Sequence, residues 1–141
     1  MKRNPELTVR PLTGLPMFAT GMSIAQAICA SLAGEDDRLR DGDILVVAQK
    51  IVSKVEGRTR DLAAFVAAEK AHELAHATGR DPEMMQAILE ESSQVLRRTP
   101  AAVIAAHRTG HVLANAGIDA SNVEGGEAGR ELLWPLDPDA L

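Results

Sequence analysis

Asp41 to Arg58 reads D-G-D-I-L-V-V-A-Q-K-I-V-S-K-V-E-G-R, and the fold turns on how this stretch is taken. Asp41-Gly42-Asp43 supplies turn chemistry, and the unbroken apolar run Ile44 to Ala48 predicts a strand buried on both faces. The run ends on Gln49, Lys50, Ser53 and Lys54, so the strand is expected to deliver polar and cationic side chains to one place.

A partner for that place lies far along the chain. Ala114 to Val123, A-N-A-G-I-D-A-S-N-V, carries a carboxylate, a hydroxyl and amides beside Gly117. Lys50 and Lys54 suit phosphate oxygens, and Asp119 suits a hard divalent metal that shares oxygen ligands with phosphates. A metal-bound nucleotide is the ligand such a pair would take. The alternative is structural: Lys50 and Lys54 pair with Glu56 and Asp61, and Asp119 with Ser121 and Asn122 closes an Asx-type turn. No G-x-x-x-x-G-K-[ST] or G-x-G-x-x-G loop occurs.

Around these segments, Leu7 to Leu12 alternates as a short strand, and Gly14 and Pro16 force a turn. Ser23 caps a helix with Ile24, Ala27, Ile28 and Leu32 on one face, stopping at Gly34. Asp61 to Thr78 favours an interrupted helix ended by Gly79, and Asp81-Pro82-Glu83 opens another with Met85, Ile88 and Leu89 inward. Ala101 to Ala106 and His111 to Ala114 form a hairpin, Val123 to Arg130 a loop, and Glu131 to Leu136 an edge strand. Helices interleaved irregularly with a hairpin predict an α+β fold, a mixed sheet with packed helices, in one domain spanning 1–141.

Composition narrows the function. Hydrophobic content of 45% with 25% charged residues is that of a globular chain. A net charge of −5 with only 2% aromatics disfavours nucleic acid, which needs a basic surface or stacking platforms. No apolar run reaches the length of a membrane span. Cys29 is the only cysteine, expected to be a buried structural thiol, and a reducing cytoplasm is the expected location.

One competing motif is literal. His72-Glu73-Leu74-Ala75-His76 is H-E-x-x-H, able in principle to hold zinc with Glu73 as general base for a metallopeptidase. Its third ligand after Gly79 would fall on Pro82, which cannot ligate. The plainer reading is a solvated helix with imidazoles near its end. His107 and His111 straddle a turn and are expected to serve surface or packing roles.

Six segments in order carry a resemblance: Gly14-Leu15-Pro16, V-V-A-Q-K-I-V-S-K-V-E-G-R from Val46, T-G-R-D-P from Thr78, E-S-S-Q-V-L-R from Glu91, H-V-L-A-N-A-G-I-D-A-S-N-V from His111, and D-P-D-A from Asp137. Together they resemble the coenzyme F420 γ-glutamyl ligase family. The resemblance implies a GTP-dependent ligase using Mg²⁺ or Mn²⁺, in which the terminal carboxylate of the F420 precursor is phosphorylated and the amine of L-glutamate displaces phosphate. It implies that Leu15, Pro16, Met17 and Phe18 line the nucleotide site, that Gln49, Lys54 and Asn122 contact the nucleotide, and that Asp119 ligates metal; no catalytic residue is assigned. Family members often carry Ser at the position of Gln49, and Met22-Ser23 replaces a usual acidic pair after Gly21. The resemblance also implies a homodimer and a longer chain. On that expectation 1–141 is the N-terminal portion of the ligase domain and inactive without a complementary C-terminal half. The non-catalytic alternative is a remnant that binds a nucleotide or partner without turnover.

Overall fold

The computed structural model describes residues 7–35, 37–119, 121 and 129–137. Helix α1 (Ile24–Gly34) begins where expected, because Ser23 is extended and its Oγ accepts the Gln26 N–H at 3.2 Å. Ile24, Ile28 and Leu32 are buried along one face. Cys29 falls outside that stripe and is exposed, which corrects its assignment as a buried thiol.

The largest correction falls on the opening segment. Ile44 to Ala48 forms no strand, and Gln49–Val55 is a helix, α2. Ile51, Val52 and Val55 recur at helical spacing and pack with Phe18 against Ile24, Ile28 and Leu32. That contact overrides the modest helix propensity of the β-branched residues. Leu7 to Leu12 is likewise not a strand. A strand needs a paired edge, and among the described residues neither segment has one.

The remaining elements build two antiparallel sheets. Strand β1 (Thr59–Asp61) pairs with β5 (Arg130–Leu132), Thr59 opposite Leu132. The edge strand expected to reach Leu136 stops early: the β1–β5 register continues one step, where Arg58 O accepts the Leu133 N–H, and beyond it the Glu56 carboxylate accepts the N–H groups of Leu136 and Asp137. A 3₁₀ turn at Leu62–Ala64 interrupts the predicted long helix before α3 (Glu69–Thr78), which ends on left-handed Gly79. Pro82 opens α4 (Pro82–Glu91). Strand β2 (Ser92–Arg98) follows directly and joins β3 (Val103–His107) and β4 (Val112–Ala114) in the order β2-β3-β4. The hairpin was legible in the sequence. Strand β2 was not, since S-S-Q-V-L-R-R lacks clean alternation and two register shifts break its pairing.

Helices beside antiparallel sheets make the fold α+β. Met85, Ala87, Ile88, Val103, Ala105 and Ala116 are fully buried between α3, α4 and the three-stranded sheet. Among the described residues no helix is long and apolar enough to cross a membrane.

Candidate functional site

Because Gln49–Val55 is helical, Lys50 and Lys54 stand one turn apart on the same face. Gln49 Nε2 donates to Ser53 Oγ at 2.6 Å, also one turn on, so the four polar residues of the segment fall into two i,i+4 pairs. The helix groups the cations as a strand with a loop would not.

Asp119 is delivered by a strained turn. Asn115, Ala116 and Gly117 all have positive φ (51°, 53° and 79°), a left-handed 3₁₀ turn in which only the last residue is glycine. The amide side chain of Asn115 holds it: Oδ1 accepts from Arg80 Nη1 at 3.0 Å and from the Val103 N–H at 3.1 Å. Gly117 is needed for space as well as conformation, since a Cβ there would lie 2.6 Å from Trp134 Cε3. Strain of this kind persists where the surroundings over-determine it, commonly at functional sites. The chain then reaches Asp119, whose N–H and C=O both bond to Leu132 at 3.0 Å.

With its backbone clamped to β5, Asp119 turns its carboxylate to α2. Lys50 Nζ lies 2.6 Å from Asp119 Oδ2. Oδ1 accepts the Ser121 N–H at 2.7 Å and Oδ2 the Ser121 hydroxyl at 3.0 Å. The ion pair and the Asx-type turn therefore coexist, and the two polar segments meet. The Lys50 ammonium and then the Ser121 N–H hold the Asp119 carboxyl below its ordinary pKa.

The other predicted residues divide. Phe18 packs on α2, and the segment after it is pinned there by Gly21 N–H to Val55 O (2.9 Å) and Thr20 Oγ1 to Lys54 O (3.3 Å). Leu15 and Pro16 lead into that contact, and Met17 is exposed. Lys54 makes no ion pair among the described residues, and Asn122 lies outside them. Glu56 and Asp61 are not the lysines' partners: Glu56 holds the Leu136 and Asp137 N–H groups, and Asp61 caps the 3₁₀ turn through Ala63 N–H. Beside Glu56 an open cleft of about 490 Å³ runs past Met22, Ser23 and Arg58.

A buried ionic cluster escaped the sequence reading. Glu91 Oε2 receives Arg58 Nη2 at 2.5 Å and His107 Nε2 at 3.1 Å, while Arg108 Nη2 reaches Oε1 at 3.0 Å. Thr109 N–H donates to His107 Nδ1, so Nε2 carries the ring proton and donates to Glu91. Burial pushes the His107 pKa below its ordinary value, against the pull of Glu91. The available signal was Glu91 itself, a charge continuing the Met85–Ile88 stripe. Glu131 is a second buried carboxyl, raised in pKa first by burial and then by the Asp119 charge; among the described residues its Oε2 has no hydrogen-bond partner.

His72, Glu73 and His76 lie on the exposed face of α3. Among the described residues no group of three or more His, Cys, Asp or Glu is arranged to hold a metal ion. His107 is buried in that ionic cluster, and His111 stacks at a tilt on Trp134, ring centroids 5.6 Å apart.

Comparison with known proteins bears on the same segments. Residues 14–141 match the family described as F420-0:Gamma-glutamyl ligase. Similar proteins named coenzyme F420:L-glutamate ligase include those of Archaeoglobus fulgidus, 45% identical over 93% of this chain and 49% of the relative, and Methanothermobacter thermautotrophicus, 41% identical over 89% and 49%. That of Halorubrum lacusprofundi is 43% identical over 89% and 49%. The chain spans about half the length of the curated relatives it matches. Six ordered motifs, an α+β fold that joins two of them through Lys50 and Asp119, and a match over nearly the whole sequence place this chain in the F420-0:gamma-glutamyl ligase family.

Proposed function

We propose that this chain is the N-terminal portion of a ligase that joins L-glutamate to the coenzyme F420 precursor, and that it carries part of a GTP and divalent-metal site. The observation that carries the reading is the meeting of α2 with Asp119 through Lys50. In the proposed reaction the terminal carboxylate of the precursor attacks the γ-phosphorus of GTP, GDP leaves, and the glutamate amine displaces phosphate from the acyl phosphate. Lys54 contacts the nucleotide phosphates, with Gln49, Asn122 and the segment Leu15 to Phe18 around the nucleotide.

Asp119 fits a hard cation such as Mg²⁺ or Mn²⁺: its carboxylate already holds a cation, the Lys50 ammonium, and the donors beside it are oxygens. A bound divalent ion would supply charge neutralisation on the transferring phosphoryl group. One carboxylate does not complete such a site, so further ligands are proposed to come from the portion equivalent to the uncovered half of the relatives. Dimerisation would cover exposed apolar residues such as Leu7, Val9, Ile44 and Val46.

The test is titration calorimetry of GTP, with and without Mn²⁺, on this chain joined to its complementary half. Lys54→Ala is expected to weaken GTP about tenfold to a hundredfold whether or not metal is present, the value of a charged hydrogen bond. Asp119→Asn is expected to act mainly when Mn²⁺ is present. Unchanged affinity in both variants, with folding intact, refutes the assignment.

A further inference from the structure

Lys50 has three ammonium hydrogens, and the structure gives each an oxygen. One meets Asp119 Oδ2 at 2.6 Å, another the Ser121 carbonyl at 3.2 Å, and the third the Ser121 hydroxyl. Carboxylate, carbonyl and hydroxyl oxygens are the donors that Mg²⁺ and Mn²⁺ also take. An ammonium and a divalent ion cannot share Asp119 Oδ2, because two cations within bonding distance of one oxygen repel strongly. We propose that Lys50 is the resident cation of the Asp119 site, displaced when a divalent ion binds there and thereby released to the nucleotide phosphates beside Lys54.

The exchange rests on the reading of Asp119 as a metal ligand and adds a role for Lys50 that this reading does not require. Geometry allows it. The Lys50 side chain is about a third exposed and Asp119 more so, so the ammonium can swing outward without unpacking the core. Exposed ion pairs are weak, and releasing this one costs little. Lys54 lies one helical turn away on the same face, so the two ammonium groups repel each other until the anionic phosphates of the nucleotide lie between them.

Two measurements on this chain joined to its complementary half test the exchange. The first follows the Lys50 ammonium in proton–nitrogen spectra, assigned by its loss in Lys50→Met, during titration with Mg²⁺. A resident cation gives a protected signal that shifts or broadens away as Mg²⁺ binds; a signal indifferent to saturating Mg²⁺ overturns the proposal. The second is the Mn²⁺ dissociation constant from paramagnetic resonance. Removing the competitor in Lys50→Met is expected to tighten Mn²⁺ about twofold to fivefold, whereas Lys50→Arg, which keeps a competing cation, stays near the parent value. Lys50→Met with Mn²⁺ affinity equal to or weaker than the parent's, while Asp119→Asn weakens it at least tenfold, overturns the exchange and leaves Asp119 as a ligand. Mn²⁺ binding that Asp119→Asn leaves unchanged, or no Mn²⁺ binding at millimolar concentration by any form, overturns the metal reading and the exchange together.

Discussion

The layer built from α3, α4 and the three-stranded sheet and the segments 7–12 and 44–48 are both rich in aliphatic residues, yet they use them oppositely. In the first, Met85, Ile88 and Val103 are wholly enclosed. In the second, Ile44 is 85% and Val46 92% exposed, as are most of Leu7 and Val9. The difference is one of partners. Neighbouring helix and sheet faces close over Ile88, whereas among the described residues no strand edge pairs with 7–12 or 44–48. Hydrophobic character decides that a residue gains from burial, and topology decides whether it is buried.

The sharpest way to test that contrast starts with the ionic cluster on the packed side. Glu91→Gln is expected to lose about 3–5 kcal/mol of stability in chemical denaturation, because Arg58 would be left buried without its counter-charge. A loss below about 1 kcal/mol would mean that solvent reaches the cluster and the packed region is looser than it looks. The aliphatic residues come next. Ile88→Ala should cost about 2–5 kcal/mol, as large-to-small changes in closed cores do, and Ile44→Ala less than about 0.5 kcal/mol. Equal costs at the two positions would show that the N-terminal region is packed in solution. Light scattering adds the complementary reading: self-association should fall in Val46→Lys and persist in a surface change on α3 such as His72→Gln.

The smallest expected effect lies in pH dependence. The Glu131 pKa is raised in the fold, so its contribution to stability is fully present below the ordinary glutamate value of 4.5 and is lost as pH rises through the raised one. His107 is lowered, so its contribution is present above 6.5 and is lost as pH falls from there. Glu131→Gln should therefore remove the decline on the rise from about pH 4.5 while leaving the fall on acidification due to His107. A stability profile unchanged by Glu131→Gln would show that this carboxyl is hydrated in the folded chain.

What the sequence by itself determined is local. The Ser23 cap, Pro82 at the start of α4, Gly79 at the end of α3 and the turn between Val103–His107 and Val112–Ala114 were legible because each depends on residues a few positions apart. The ordered motifs likewise placed the chain in its family before any distance was known. Tertiary structure alone decided the rest. It made Gln49–Val55 a helix, because α1 offered a face for Ile51, Val52 and Val55; it gave Ser92–Arg98 a strand partner; and it gathered Arg58, His107 and Arg108 around the Glu91 carboxylate. It also brought Lys50 to Asp119, from the far end of the chain. Strand pairing and charge pairing are contracts between distant residues, and their free energy exists only once the chain has brought both sides together.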